Sequence, residues 1–130
     1  NWHTQCDGVA EYANWLSLVS GALGKLGQDV LLMAQNSVGE IVLEGGGGSS
    51  AMPHKHNPVR AEVLVSLARY NATLLPAMHH ALVAEQERSG AAWTLEWLTL
   101  PQMSVTCGAS LRTAIELVGS IRGMGEPDGQ

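Results

Sequence analysis

Residues 45–58 read Gly-Gly-Gly-Gly-Ser-Ser-Ala-Met-Pro-His-Lys-His-Asn-Pro, and they separate two long apolar patterns of helical period. Glycine adopts backbone conformations that other residues avoid, so four in succession let the chain approach a ligand closely, at a cost in entropy. The residues after the glycines bring hydroxyl, ammonium, imidazole and carboxamide groups into one short run. We therefore expect the chemistry of this protein to lie in this loop.

The end of the loop is predicted to be a helix N-terminus. Asn57 and Pro58 are typical of an N-cap and a first helical residue, because Asn accepts an unpaired backbone N–H and Pro has none to lose. A helix N-terminus attracts anions through its free N–H groups and its dipole. Lys55 and Arg60 add positive charge nearby. The pattern favours a carboxylate or a phosphate as the ligand.

Three other interpretations fit part of this loop. The composition of residues 45–50 is that of a flexible engineered linker, but the Met-Pro-His-Lys-His-Asn-Pro that follows belongs to no common linker. A phosphate-binding P-loop needs Gly directly before its Lys and Ser or Thr after it, where this chain has His54 and His56. A zinc site is disfavoured because Cys6 and Cys107 are far apart in the sequence and no Cys or His pair has finger spacing.

Both sides of the loop show helical periodicity. Before it, apolar residues recur at alternating steps of three and four, as in a helix packed along another helix; they are Val9, Tyr12, Leu16, Val19, Leu23, Leu26, Val30 and Met33. We predict helices at about 8–36, 58–84 and 93–121, with the second kinked at Pro76. The loop takes residues 45–57, a flexible tail takes residues 123–130, and residues 1–122 form one helical-bundle segment without evident strands.

The composition of the whole chain fits a globular or helical-bundle protein. Its 130 residues are 45% hydrophobic and 15% charged, which suffices for one domain with a core. The net charge of -5 disfavours non-specific binding to nucleic acid, and no run approaches the roughly 18 apolar residues of a membrane span. Two cysteines without a pair motif favour a reduced, cytoplasmic setting.

Residues 48–58, Gly-Ser-Ser-Ala-Met-Pro-His-Lys-His-Asn-Pro, resemble the signature loop of the fumarase/aspartase superfamily along nearly their whole length. The resemblance implies an all-α fold, in which this chain is a fragment of the bundle of very long helices in the central domain. It also implies a homotetramer whose active sites combine segments from three subunits. Because members of that superfamily are several times longer, we expect this chain to be part of a longer one.

The same resemblance assigns roles to residues of the loop and its surroundings. Ser49 matches the catalytic serine of the family. The expected substrate contacts are Ser50, Met52, Lys55, Asn57 and Arg88, and further candidates are His3, Gln5 and His54. The implied partner is a small anionic carboxylate or polycarboxylate, and no metal or other cofactor is implied.

Residues outside the loop distinguish branches of the superfamily. Adenylosuccinate lyases hold a nucleotide phosphate with a Ser and an Arg at places where this chain has Trp93 and Trp97. An indole offers one weak donor and no charge, so it makes a poor phosphate clamp. The segments that instead resemble the carboxymuconate cycloisomerase branch are residues 2–5, 23–25, 87–89, 93 and 96–97. The chain departs from its relatives at Cys6, Gly8 and His56, where Arg is common.

The cycloisomerase resemblance implies that a substrate carboxylate adds to a double bond of the same molecule, with Ser49 as the general acid. A serine hydroxyl needs stabilisation of its alkoxide, for which Lys55 and the N–H groups of the loop and the following helix are suited. Two alternatives remain: a lyase that cleaves a C–N bond, like the adenylosuccinate lyases, and a helical assembly module without catalysis.

Overall fold

The computed structural model describes residues 7–35, 41–43, 47–49, 52–82 and 90–124. These residues form three long helices and two short antiparallel ribbons. The helices are α1 (Asp7–Met33), α2 (Val59–His80) and α3 (Gly90–Gly119). The strands are β1 (Ile41–Leu43), β2 (Gly47–Ser49), β3 (Met52–Asn57) and β4 (Ile121–Met124), with β1 paired to β4 and β2 paired to β3.

The predicted all-α class, a long-helix fragment of a central bundle, is confirmed by the three helices and by their packing. Alternating steps of three and four place one residue per turn of α1 against its neighbours, and Ala13, Leu16 and Val30 on that face are buried. The predicted helix at 8–36 corresponds to α1, and those at 58–84 and 93–121 correspond to α2 and α3. Both α2 and α3 remain helical through their internal prolines, Pro76 and Pro101.

Two apolar clusters lie at opposite ends of the three-helix unit. The loop-proximal cluster joins the end of α1, the start of α2 and the end of α3, and it consists of Val30, Ala61, Leu64, Ala114 and Leu117. The distal cluster consists of Ala13, Leu16, Met78, Met103 and Cys107. Because the start of α2 packs against the ends of α1 and α3, α2 runs antiparallel to both. The fold therefore brings three helix ends together beside the glycine-rich loop.

Two glycines of α1 allow α1 and α2 to approach closely near the loop-proximal cluster. A Cβ built at Gly27 would lie 2.7 Å from the main-chain oxygen of Ala61 and 2.9 Å from Leu64 Cβ. A Cβ built at Gly24 would overlap the Cβ of Ala68. The glycines cost helix propensity, and close packing of the two helices explains their presence at these two positions.

A buried amide joins all three helices between the two clusters. Asn71 of α2 is fully buried, and its Nδ2 donates to Ser20 Oγ of α1 at 2.8 Å and to the main-chain oxygen of Met103 in α3 at 3.2 Å. Ser20 Oγ in turn donates to the main-chain oxygen of Leu16 at 2.8 Å. A main-chain oxygen can only accept, so the contact with Met103 fixes the orientation of the amide. The Oδ1 of Asn71 has no hydrogen-bond partner among the described residues.

Asn71→Ala is expected to lower the free energy of unfolding by about 2–3 kcal/mol, because it removes two buried hydrogen bonds and leaves a cavity. The matched control is Asn14→Ala, since Asn14 is exposed on α1 and its replacement should change stability by less than about 0.5 kcal/mol. Denaturant unfolding of the two variants measures the difference. Equal stabilities would show that the amide does not hold the helices together.

The strands were not predicted from the sequence. Ile41–Leu43 forms β1, and Leu43 packs against the loop-proximal cluster. The predicted flexible tail at 123–130 begins too early, because Gly123 and Met124 belong to β4 and pair with Val42 and Ile41. Strands of three or four residues such as β1 and β4 carry little periodicity, so tertiary pairing determines whether they form. Among the described residues, no helix has an apolar stretch long enough to cross a membrane.

Candidate active site

The glycine-rich loop contains a β-hairpin. Its strands β2 and β3 pair antiparallel, with Gly47 opposite Asn57 and Gly48 opposite His56. The register then shifts, and Ser49 lies opposite Met52. A backbone without side chains at positions 47 and 48 can accept this irregular pairing at little steric cost. The hairpin thus brings the strand that carries Ser49 beside the strand that carries Lys55 and Asn57.

The hairpin leads directly into α2, but the predicted helix cap is wrong. Pro58, not Asn57, is the N-cap residue, with φ −76° and ψ 80°, and it makes no side-chain capping hydrogen bond. Asn57 is extended because it pairs with Gly47 in the ribbon. The first helical hydrogen bond runs from the N–H of Glu62 to the main-chain oxygen of Pro58 at 3.1 Å. Pro58 therefore supplies no side-chain acceptor to the first N–H groups of α2.

Charged side chains surround the start of α2. Arg60 Nε lies 3.5 Å from Glu116 Oε2 of α3, and Arg112 Nε lies 3.5 Å from Glu116 Oε1. All three side chains are about half exposed or more, so each pair contributes at most about 1 kcal/mol to stability. The positive charge of Arg60 that the sequence placed beside the loop is thus shared with Glu116, a residue that the sequence analysis did not single out. Glu62, in the first turn of α2, adds a second carboxylate to this region.

The structure places some of the predicted site residues and not others. Ser49 lies in β2, and Met52, His54, Lys55 and Asn57 lie in β3, so the backbone brings these five together in one hairpin. Ser50, Arg88, His3 and Gln5 lie outside the described residues. Within the described part of the chain, no group of three His, Cys, Asp or Glu side chains is placed to hold a metal ion.

The two tryptophans that replace a phosphate clamp lie on the first turns of α3. Trp93 and Trp97 are exposed, and their ring centroids are 6.3 Å apart with planes tilted by 57°. Tilted ring pairs at this separation are in aromatic contact. This pair presents apolar surface and no positive charge at that end of α3.

Comparison with known proteins identifies the group to which these features belong. A family model described as lyase matches residues 1–70, which include α1, the hairpin and the first half of α2. The matched region therefore contains the whole of the predicted signature loop.

Individual relatives resemble nearly the whole chain. It is 43% identical, over 90% of its length, to a 3-carboxy-cis,cis-muconate cycloisomerase of Pseudomonas aeruginosa, and 45% identical, over 87% of its length, to one of Pseudomonas putida. It covers 26% and 28% of these two relatives, so the chain spans about a quarter of their length.

A solved structure shows the same arrangement of helices. The crystal structure of the 3-carboxy-cis,cis-muconate lactonizing enzyme from Pseudomonas putida superposes with a TM-score of 0.85 at 41% identity. The superposition covers 94% of this chain and 28% of that one. The loop, the helix order and the family model agree, and the chain belongs to the fumarase/aspartase superfamily of lyases.

Proposed function

We propose that the full-length protein is a cycloisomerase that converts 3-carboxy-cis,cis-muconate into 4-carboxymuconolactone in the degradation of protocatechuate. The observation that carries this proposal is the similarity to two relatives of that name along 87–90% of the chain, hairpin included. An adenylosuccinate lyase activity is less well supported, because two indoles stand where such enzymes hold a phosphate.

The proposed reaction takes up one proton and releases nothing. A carboxylate oxygen of the substrate forms a C–O bond to one carbon of a double bond, and the neighbouring carbon, next to a carboxylate, gains a proton. Ser49 is the proposed donor of that proton, and solvent then reprotonates its oxygen. Positioned acids of this kind typically contribute about 10²–10⁴-fold to the rate.

The proposed binding groups offset the negative charge of the substrate and of the carbanion intermediate. Lys55 and Asn57, on the strand opposite Ser49, would hold the carboxylate where charge accumulates. The N-terminus of α2, where Pro58 makes no side-chain capping hydrogen bond, follows this strand and adds N–H donors and a positive dipole end. Fixed donors of this type lower the barrier without reorganising during the reaction. Ser50, Met52 and Arg88 are proposed as further substrate contacts, with His3, Gln5 and His54 as secondary candidates.

The experiment that tests this function follows the ultraviolet absorbance of 3-carboxy-cis,cis-muconate with the full-length protein, beside a parallel assay with adenylosuccinate. Loss of the conjugated diene signal with the first substrate alone is the expected result. Turnover of adenylosuccinate alone would contradict the proposal and assign the protein to another branch of the superfamily. Inertness towards both would favour a helical assembly module.

We also propose that the protein acts as a cytoplasmic homotetramer whose copies meet along the outer face of α3. This face is apolar although it is exposed: Trp97, Leu98, Val105, Leu111, Ile115 and Val118 are 46–74% exposed. Exposed apolar stripes of this extent are typical of interfaces. The cytoplasmic setting is supported by Cys107, which is a buried free thiol.

Ile115→Glu is expected to shift the full-length protein towards smaller species, because it places a charge in the middle of the apolar face. Sedimentation velocity at several concentrations measures the distribution. Ser66→Glu on the exposed surface of α2 adds the same charge elsewhere and should leave the distribution unchanged. Identical distributions for wild type and Ile115→Glu would place the interface on another surface.

A further inference from the structure

We propose that Leu43 and Ile121 are positioning residues. They hold the strand that carries Ser49 in the position that the proposed reaction requires. The inference rests on the proposed function of Ser49. Leu43 is the last residue of β1, Ile121 is the first residue of β4, and the two are partners in the ribbon. Both are partly buried and pack against the loop-proximal cluster. Neither was a candidate for a functional role from the sequence.

The two strands of the catalytic hairpin are attached to this cluster in different ways. Strand β3 is attached through α2, since one residue, Pro58, separates Asn57 from the helix that contributes Ala61 and Leu64 to the cluster. Strand β2 follows Leu43 after residues 44–46, two of which are glycines. Glycines have no side chains that could pack against the core. Leu43 is therefore the nearest described apolar contact between the core and the N-terminal side of the hairpin.

An irregularity in the ribbon gives Leu43 its apolar partner. Ile41 pairs with Met124 and Val42 with Gly123, but Leu43 then pairs with Ile121 and not with Arg122. One extra residue on β4 is the pattern of a β-bulge, which bends and twists a strand locally. In regular register the exposed Arg122 would face Leu43. With the bulge, Ile121 pairs with Leu43, and both side chains face the core formed by Val30 and Leu117.

This arrangement predicts an effect on the rate and not on binding. If Leu43 loses its contact, the β2 side of the hairpin and Ser49 gain freedom, while Lys55 and Asn57 stay attached to α2. Misplacing a reacting group by about 1 Å can cost about 10²-fold in rate. We therefore expect Leu43→Ala to lower kcat about 10–100-fold while KM changes less than about threefold.

The test compares Leu43→Ala with Leu74→Ala in the full-length protein. Leu74 is also a partly buried leucine, but it packs against the distal cluster, so the control removes the same atoms far from the hairpin. Both variants are assayed well below their unfolding midpoints, and Leu43→Met is expected to restore most of kcat. An equal loss of kcat in both alanine variants would overturn the proposal, as would an unchanged kcat in Leu43→Ala. If Leu43→Ala does not fold, Leu43→Val provides the milder truncation.

A second readout does not depend on the reaction. Amide hydrogen exchange of residues 47–57 should be faster in Leu43→Ala and in Ile121→Ala than in wild type, and unchanged in Leu74→Ala. The double variant Leu43→Ala/Ile121→Ala should exchange at least as fast as either single variant, because each side chain packs against the loop-proximal cluster. Should the wild type leave 3-carboxy-cis,cis-muconate unconverted, the proposed function fails and exchange alone decides the positioning role. Equal rates of amide exchange in wild type and Leu43→Ala would overturn the proposed positioning role.

Discussion

Ser49→Ala is expected to lower kcat for the cycloisomerisation of 3-carboxy-cis,cis-muconate by about 10²–10⁴-fold, with little change in KM. The physical reason is that the serine acts on the proton in the transition state, whereas binding of the substrate carboxylates is assigned to Lys55, Asn57 and the start of α2. Steady-state kinetics of the full-length protein measure both constants. The effect is expected to be large because an alanine side chain has no proton donor that could replace the serine hydroxyl.

The control for this experiment is Ser66→Ala, which removes the same hydroxyl from the exposed surface of α2. Its kcat and KM should equal those of the wild type. Circular dichroism and the unfolding midpoint should be the same for both variants, since Ser49 lies in β2, outside the three helices. A Ser49→Ala variant that retains nearly all of its turnover would refute the assigned role of this residue.

Gly27→Ala is expected to lower the free energy of unfolding by about 1–3 kcal/mol, in spite of the higher helix propensity of alanine. The new methyl group would lie 2.7 Å from a main-chain oxygen of α2, at Ala61, and main chain cannot move aside as a flexible side chain can. Gly24→Ala should also destabilise, because its methyl group would overlap that of Ala68. Denaturant unfolding monitored by helical circular dichroism measures both variants.

Gly21 provides the matched control on the same helix. A Cβ built there meets nothing within 4 Å, so Gly21→Ala should raise stability by about 0.5–1 kcal/mol through helix propensity alone. We expect Gly21→Ala to raise the free energy of unfolding and Gly27→Ala to lower it. A stabilised Gly27→Ala would mean that α1 and α2 do not approach each other as closely as described.

The helices could be predicted from the sequence because their signal is periodic and long. The recurrence of apolar residues from Val9 to Met33 specifies one face of α1 over many turns; Leu16 and Val30 on that face are buried, whereas Tyr12 is 44% exposed. The bounds of α3 were less accurate, since the helix begins at Gly90 and not near Trp93. Helix ends depend on capping and tertiary contacts of a few residues, so periodicity alone does not fix them.

The ribbon of β1 and β4 could not be predicted because its strands are short and their pairing is remote in sequence. Leu43 and Ile121 meet only after three helices have packed, and neither strand has enough residues to show alternation. The mistaken cap has the same origin. Asn57 is a good N-cap residue by propensity. Its pairing with Gly47 keeps it in the β2–β3 ribbon, so Pro58 occupies the N-cap position.

The residue types of the loop and its family resemblance predict its chemistry, and the assigned roles stay predictions, whereas its electrostatic surroundings could not be predicted. Ser49, Lys55 and Asn57 were assigned from the loop sequence, and the hairpin explains how the backbone brings their strands together. Glu116 lies far from Arg60 in sequence, so no local pattern could indicate that it would share the charge of that guanidinium. The contacts of Asn71 with Ser20 and Met103 likewise depend on the packing of three helices.

The measurement that most directly tests the proposed reaction is nuclear magnetic resonance of the product formed in deuterium oxide by the full-length protein. Addition of a carboxylate across the double bond predicts 4-carboxymuconolactone carrying one deuterium, on the carbon next to the ring-closing carbon. The Ser49→Ala variant should form this product at a rate at least about 10²-fold lower. Recovery of unchanged 3-carboxy-cis,cis-muconate from the wild type, or of a product that has lost a fragment such as fumarate, would contradict the account.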